Sequence, residues 1–170
     1  MNDNLTSLDR ATLEAMLVDF AKNWLAHDGL WFQAVEHQCG IEIAIKLDTE
    51  AWEQFTKLEA RRIMERHKIP VNGGLPALKK ALGFRLYSFL NEQMITEETA
   101  NYFVFKMVDC RVQSARRRKN LPLFPCKSVG IVEYSEFART IDPRIKTECL
   151  ACPPDKDERD YYCGWRFSVQ

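Results

Sequence analysis

The sequence is short of everything that usually announces a partner or a reaction. Basic and acidic side chains number 24 each, so the formal net charge is zero. The molecule as a whole has no electrostatic reason to approach nucleic acid or an anionic membrane, and either contact would need a local patch. No segment approaches the ~20 consecutive apolar residues that span a bilayer. The opening residues, MNDNLTSLDRATLEAML, are polar and acidic where a secretion signal would be basic and then apolar. H-E-x-x-H, G-x-S-x-G, the P-loop and the dinucleotide fingerprint are all missing. So are internal repeats, low-complexity stretches and linkers. These absences predict a cytoplasmic protein with neither a membrane nor a nucleic-acid partner.

What remains is a chain of 170 residues, 46% hydrophobic, long enough to enclose one core. A single domain over residues 1–170 is the expectation. From Asp9 to Asn91 apolar residues recur at three and four spacing: Leu13, Met16, Leu17, Phe20, Trp24, Leu30, Trp31 and Val35. Asp9 starts one helix and Gly40 stops it. A second helix is expected from Ile41 to Lys68, with Ile45, Trp52, Phe55, Leu58 and Ile63 inward and a break at Asp48–Thr49. A third follows Pro76.

Beyond Asn91 the period shortens. The alternation in NYFVFKMVDC predicts a strand, with EQMIT as its hairpin partner. SVGIVEYSEFARTI returns to helical spacing, and RIKTECLA and YYCGWRFSV read as two further strands. The predicted class is α+β: a helical half, residues 1–91, packed on an antiparallel sheet with one intervening helix, residues 92–170.

The chemistry concentrates in the thiols. Three of six cysteines, Cys149, Cys152 and Cys163, fall in the terminal hairpin. Hairpin strands lie ~5 Å apart, so Cys149 or Cys152 can face Cys163. Cys126 begins the preceding helix after the rigid LPLFPC, and Cys110 closes the strand before it. Four of these five thiols are expected to converge. In a reducing compartment such a group holds zinc, at bonds of ~2.3 Å, or a [4Fe-4S] cluster, and spacing does not choose between them. A redox-active pair or plain core cysteines are the competing readings. Cys39, isolated near a helix end, is read as a buried apolar side chain.

Other groups carry weaker signals. His27 and Asp28, beside Trp31 and Phe32, would line a pocket at a bend between helical segments, with His27 as an acid–base group or ligand, or His27 simply caps carbonyls at a helix end. The run ARRRK, with Arg111 just before it, would grip a carboxylate or phosphate, or form a solvated basic turn. Arg111 and Trp31 are the candidate ligand contacts.

A resemblance appears at these residues. Cys126 opening a helix, then Cys149, Asp155, Cys163 and Trp165 or Phe167, resembles the end of the 4-vinyl-reductase-type small-molecule-binding domain. The order Cys110, Cys126, Cys163 resembles the L-2-amino-thiazoline-4-carboxylate hydrolase family. The whole chain, through AHDGLWFQAVE, EARRIM, NEQ, DCRVQSARRRK and IDPRIKTEC, is similar to a group of uncharacterised bacterial cytosolic proteins related to both. Two expectations follow. The first is a sensory or accessory module that binds a small organic molecule beside a cysteine-held metal or cluster, with a homodimer left open. The second is a hydrolase using metal-bound water or Cys126 as its nucleophile.

Overall fold

A computed structural model describes residues 3–156 and 159–169. After a 3-10 turn at Asp3–Leu5, two long helices form: α1, Arg10–Cys39, and α2, Ile41–His67. The Asp9 carboxylate caps α1 by accepting the Thr12 N–H at 2.7 Å. Gly40, at φ 85°, turns the chain between the two helices, a conformation glycine adopts without a Cβ penalty. α2 runs through Asp48 and Thr49 without the expected break. The Thr49 hydroxyl donates back to the Ile45 carbonyl at 2.7 Å and so stays inside the helical ladder.

A short helix α3, Gly74–Leu82, and a 3-10 turn at Leu86–Phe89 lead into the sheet. Its strands are β1, Glu92–Thr96; β2, Tyr102–Asp109; β3, Lys146–Ala151; and β4, Cys163–Ser168. All pairings are antiparallel, in the order β1-β2-β4-β3. Between β2 and β3 come α4, Arg111–Arg118, and α5, Lys127–Ile141. The fold is therefore α+β, with helices leading and the antiparallel sheet behind. α4 escaped the sequence reading because a run of arginine and lysine hides any apolar period.

Alternation puts Phe103, Phe105 and Met107 of β2 and Trp165 and Phe167 of β4 on one face. There they meet Tyr134, Phe137, Ala138 and Ile141 of α5 and Leu78 and Leu82 of α3 in one buried cluster. Ala60, Ile63 and Met64 of α2 join it, so both halves of the chain share this core. A smaller cluster of Trp52, Phe124 and Val129 lies beside it, bordered by Trp24, Phe32, Tyr87 and Val112.

α1 is the least covered element. Of its thirty residues only Ala21 and Leu25 are buried, while Leu17, Phe20, Leu30 and Trp31 are exposed. In α2, Trp52 and Ile63 point inward as predicted, but Leu58 faces water. Glu59 and Thr56 occupy interior positions instead, because each finds a polar partner there. No described helix is long and apolar enough to cross a membrane.

Candidate functional site

The terminal hairpin and the start of α5 are fastened to each other. The Lys127 N–H donates to the Pro153 carbonyl at 3.0 Å. The Lys127 ammonium reaches both oxygens of Asp155 at 2.9 Å. Asp155 in turn accepts the Cys152 N–H at 3.1 Å. These bonds bring Cys126, the residue just before α5, against Cys152, just after β3, with their sulfurs 3.5 Å apart. The Cys152 thiol also meets those of Cys149 and Cys163. Three of the predicted thiols, Cys126, Cys149 and Cys163, thus gather around a fourth, Cys152.

Cys152 is the hub of this group. Contact with the Cys126, Cys149 and Cys163 thiols, together with burial, pushes its pKa far up. Cys149 moves the other way, because Cys152 hydrogen-bonds to it and Lys127 is close. Cys110 lies near Cys163 and Cys126, and burial raises it to about 12, so it remains a neutral thiol. Cys39 is exposed at the end of α1, contrary to its reading as a buried side chain. There the helix ends against solvent, with nothing to cover the thiol.

Four thiolates around a metal with ~2.3 Å bonds would stand ~3.8 Å from each other. The 3.5 Å pair is slightly tighter, as for thiols packed sulfur on sulfur. Among the described residues no group of three or more His, Cys, Asp or Glu side chains is arranged to hold a metal ion. With Cys152 in the middle, the sulfurs touch a fourth sulfur rather than surround a vacant centre.

The thiol group forms one part of the wall of a cavity of about 410 Å³ between α1, α2, α4, α5 and the sheet. Cys110, Cys126, Cys152 and Cys163 line it. Trp52, Phe32, Phe124, Val129 and Trp165 supply apolar wall, and Asp28, Asp48 and Glu133 supply carboxyl groups. Gln113 holds the thiol side in shape. Its amide donates to the Phe124 carbonyl at 2.9 Å and to Cys126 Sγ at 3.5 Å, while its oxygen accepts the Phe124 N–H at 2.9 Å. Trp165 Nε1 donates to Cys163 Sγ at 3.4 Å.

Behind the carboxyl groups lies a buried ion network. Arg85, 2% exposed, places Nη2 at 2.8 Å from Glu59 Oε2 and 2.7 Å from Glu133 Oε1. Trp52, Tyr87 and Tyr134 flank its guanidinium. Burial raises the Glu133 carboxyl although Arg85 opposes the shift. Asp48 is pushed up to about 7, by burial first and then by the charges of Asp28 and Glu133. Asp28 is also raised by burial.

The remaining candidates divide cleanly. Arg111 lines the cavity from its exposed side. Trp31, 69% exposed, stands outside it, and His27 is exposed too. α1 runs as one unbroken helix through these positions, with no separate segments to meet there. Residues 27 and 31 share one helical face while Asp28 and Phe32 share the next, which turns inward. Cys126, the proposed nucleophile, has Gln113 and Cys152 as hydrogen-bond neighbours, and neither is a general base. The basic run splits as well. Arg116 is buried and clamps Glu36 of α1 at 2.9 and 3.0 Å, while Arg117, Arg118 and Lys119 are exposed. Sequence reasoning missed Glu133 and Asp48, whose only signal was a charge at an otherwise apolar helical position.

Residues 6–169 match the family of unknown function DUF6125. The chain belongs to that family. Its description assigns no activity, so membership leaves the hydrolase and 4-vinyl-reductase resemblances without further support. No curated protein matches the chain.

Proposed function

We propose that this DUF6125 protein is a binding module that takes a small organic molecule into the cavity between its helices and its sheet. The single observation that carries this reading is the cavity itself. Its volume, about 410 Å³, is within the range of small-molecule sites, and apolar and aromatic side chains such as Phe32, Trp52, Phe124 and Trp165 share its wall with charged and amide groups. The hydrolase alternative has less support, because the Cys126 thiol has an amide and another thiol beside it where acyl transfer needs a base.

A second reading concerns the thiols. Cys126, Cys149, Cys152 and Cys163 are the proposed ligands of zinc or of an iron–sulfur cluster, and the gathering of three of these thiols around the fourth supports it. Ligation would require Cys152 Sγ to turn out of the centre of the group. A bound metal would brace the hairpin against α5 and close that side of the cavity.

Titration calorimetry with indole, a neutral aromatic probe, tests the binding reading. Indole should bind the wild-type protein, and Ala115→Trp, which adds bulk to the cavity wall at α4, should lose that binding while keeping the fold. Equal binding by both proteins, or by neither, would remove the cavity as the site.

A further inference from the structure

The thiol group contains one pair of sulfurs placed to bond. Cys126 Sγ and Cys152 Sγ are 3.5 Å apart. A disulfide bond is ~2.0 Å long, so about 1.5 Å of closure separates the pair from bonding, within reach of small side-chain rotations. The backbone that carries them is already fastened. Lys127, next to Cys126, donates its N–H to the carbonyl of Pro153, next to Cys152, at 3.0 Å. Its ammonium holds Asp155, whose carboxylate accepts the Cys152 N–H at 3.1 Å. The two thiols differ in access: Cys152 is 1% exposed and Cys126 is partly exposed, and both residues line the cavity. Gln113 donates to Cys126 Sγ at 3.5 Å and fixes it beside its neighbour. The other members of the group are less well placed to react. Cys163 is buried and accepts the Trp165 indole N–H at 3.4 Å, and Cys149 stands outside the cavity wall.

We propose that Cys126 and Cys152 form a reversible disulfide by reducing a hydroperoxide that enters the cavity, which makes the pair an oxidation-sensitive fastening between α5 and the terminal hairpin. In the first step the Cys126 sulfur attacks an oxygen of ROOH. The O–O bond breaks, an S–O bond forms, and the thiol proton leaves with the other oxygen as ROH. In the second step Cys152 Sγ attacks the sulfur of the Cys126 sulfenic acid. The S–S bond forms as the S–O bond breaks, and hydroxide departs with the Cys152 proton as water. Two electrons pass from the sulfurs to the peroxide, and an external dithiol returns them by exchange. The oxidant is a small one because both cysteines line a cavity of about 410 Å³, which a protein-sized disulfide does not enter. The bond joins positions 26 apart in the chain and so restricts the unfolded state, which should raise the melting temperature of the oxidised form. This chemistry is independent of the binding reading, since no guest takes part. Disulfide formation and metal ligation compete for the same sulfurs, so metal is measured alongside thiols.

The test uses the full chain with Cys39→Ser, which removes the exposed thiol at the end of α1. The protein is reduced, freed of reductant anaerobically and treated with stoichiometric hydrogen peroxide or cumene hydroperoxide. Free thiols should fall by about two per chain and the mass by about 2 Da, and dithiothreitol should restore both. Peptide mapping should find Cys126 joined to Cys152, and the oxidised form should melt above the reduced one. Cys126→Ser, at a partly exposed position, should leave Cys152 reduced. Cys152→Ala should stop Cys126 at the sulfenic acid, which dimedone traps as a covalent adduct; if that variant folds poorly, Cys126→Ser decides alone. Metal released as the disulfide forms would support the inference. A disulfide joining any other pair, or thiols that stay reduced, including thiols held by a metal that remains bound, would overturn it.

Discussion

Gly130 of α5 lies directly against the indole of Trp165 on β4. A Cβ at Gly130 would come within 2.8 Å of Trp165 Cζ2 and 3.0 Å of Cη2. The indole is 1% exposed and tied to Cys163, so it can move aside only by giving up that hydrogen bond and its packing in the core. Gly130→Ala should therefore destabilise the fold by about 1–3 kcal/mol, despite the helix-favouring nature of alanine. Urea denaturation measures this, and an unchanged midpoint would mean that α5 and the sheet are less tightly joined than described.

Asp142 holds the start of α3 to the end of α5. Its carboxylate accepts the Gly74 N–H at 2.9 Å and pairs with Arg144 at 2.6 Å, and these bonds lower its pKa from 3.8 to about 2, the Arg144 hydrogen bond first among them. A lowered acid stabilises the fold fully above the unfolded value and loses that contribution as pH falls through the folded one. Asp142→Asn should cost about 1–2 kcal/mol at pH 7, a figure reduced because Arg144 reaches solvent. The difference from wild type should close between pH 4 and pH 2. A constant difference across that interval would mean that packing, not charge, accounts for the loss.

Asp48 should behave in the opposite sense. Its folded value, about 7, lies above the ordinary 3.8, so the folded protein holds the proton more tightly. Its favourable contribution is complete below about 3.8 and is lost as pH rises through about 7. Asp48→Asn mimics the protonated group and should raise stability at pH 8 by about 1–2 kcal/mol, with no gain near pH 4. Thermal unfolding across that range is the measurement. Parallel curves for the two proteins would show that Asp48 is better solvated than its surroundings suggest.

Cys163 discriminates between a metal site and a bare group of thiols. Protein purified anaerobically should carry stoichiometric zinc, or iron with sulfide and a visible absorption band, if the thiols are ligands. Cys163→Ser should then lose the metal and several degrees of melting temperature together, because ligation energy supports the folded state. Metal-free wild-type protein with an unchanged melting temperature in the variant would leave Cys126, Cys149, Cys152 and Cys163 as packed thiols.

The sequence disclosed most of the architecture because its periods are local. Alternation in NYFVFKMVDC and YYCGWRFSV marked β2 and β4, and Asp9 and Gly40 bounded α1. The approach of Cys126 to Cys152 was also foreseeable, since a hairpin and the helix before it have few ways to meet. The acidic side of the cavity was not. Glu133 and Asp48 come from α5 and α2, and only the packing of those helices makes neighbours of them. Trp31 misled for a related reason: a large aromatic promises burial, but one helical step decides whether Phe32 or Trp31 faces inward.

The two sides of the cavity are held with unequal strength. α5 buries seven residues and α1 two, although α1 is twice as long. Whatever enters this chamber therefore has an inexpensive doorway: loosening the outer helix disturbs little hydrocarbon, whereas displacing the inner one would dismantle the core. Amide exchange along α1 should be correspondingly fast, and a guest that bridges α1 to α5 would slow it.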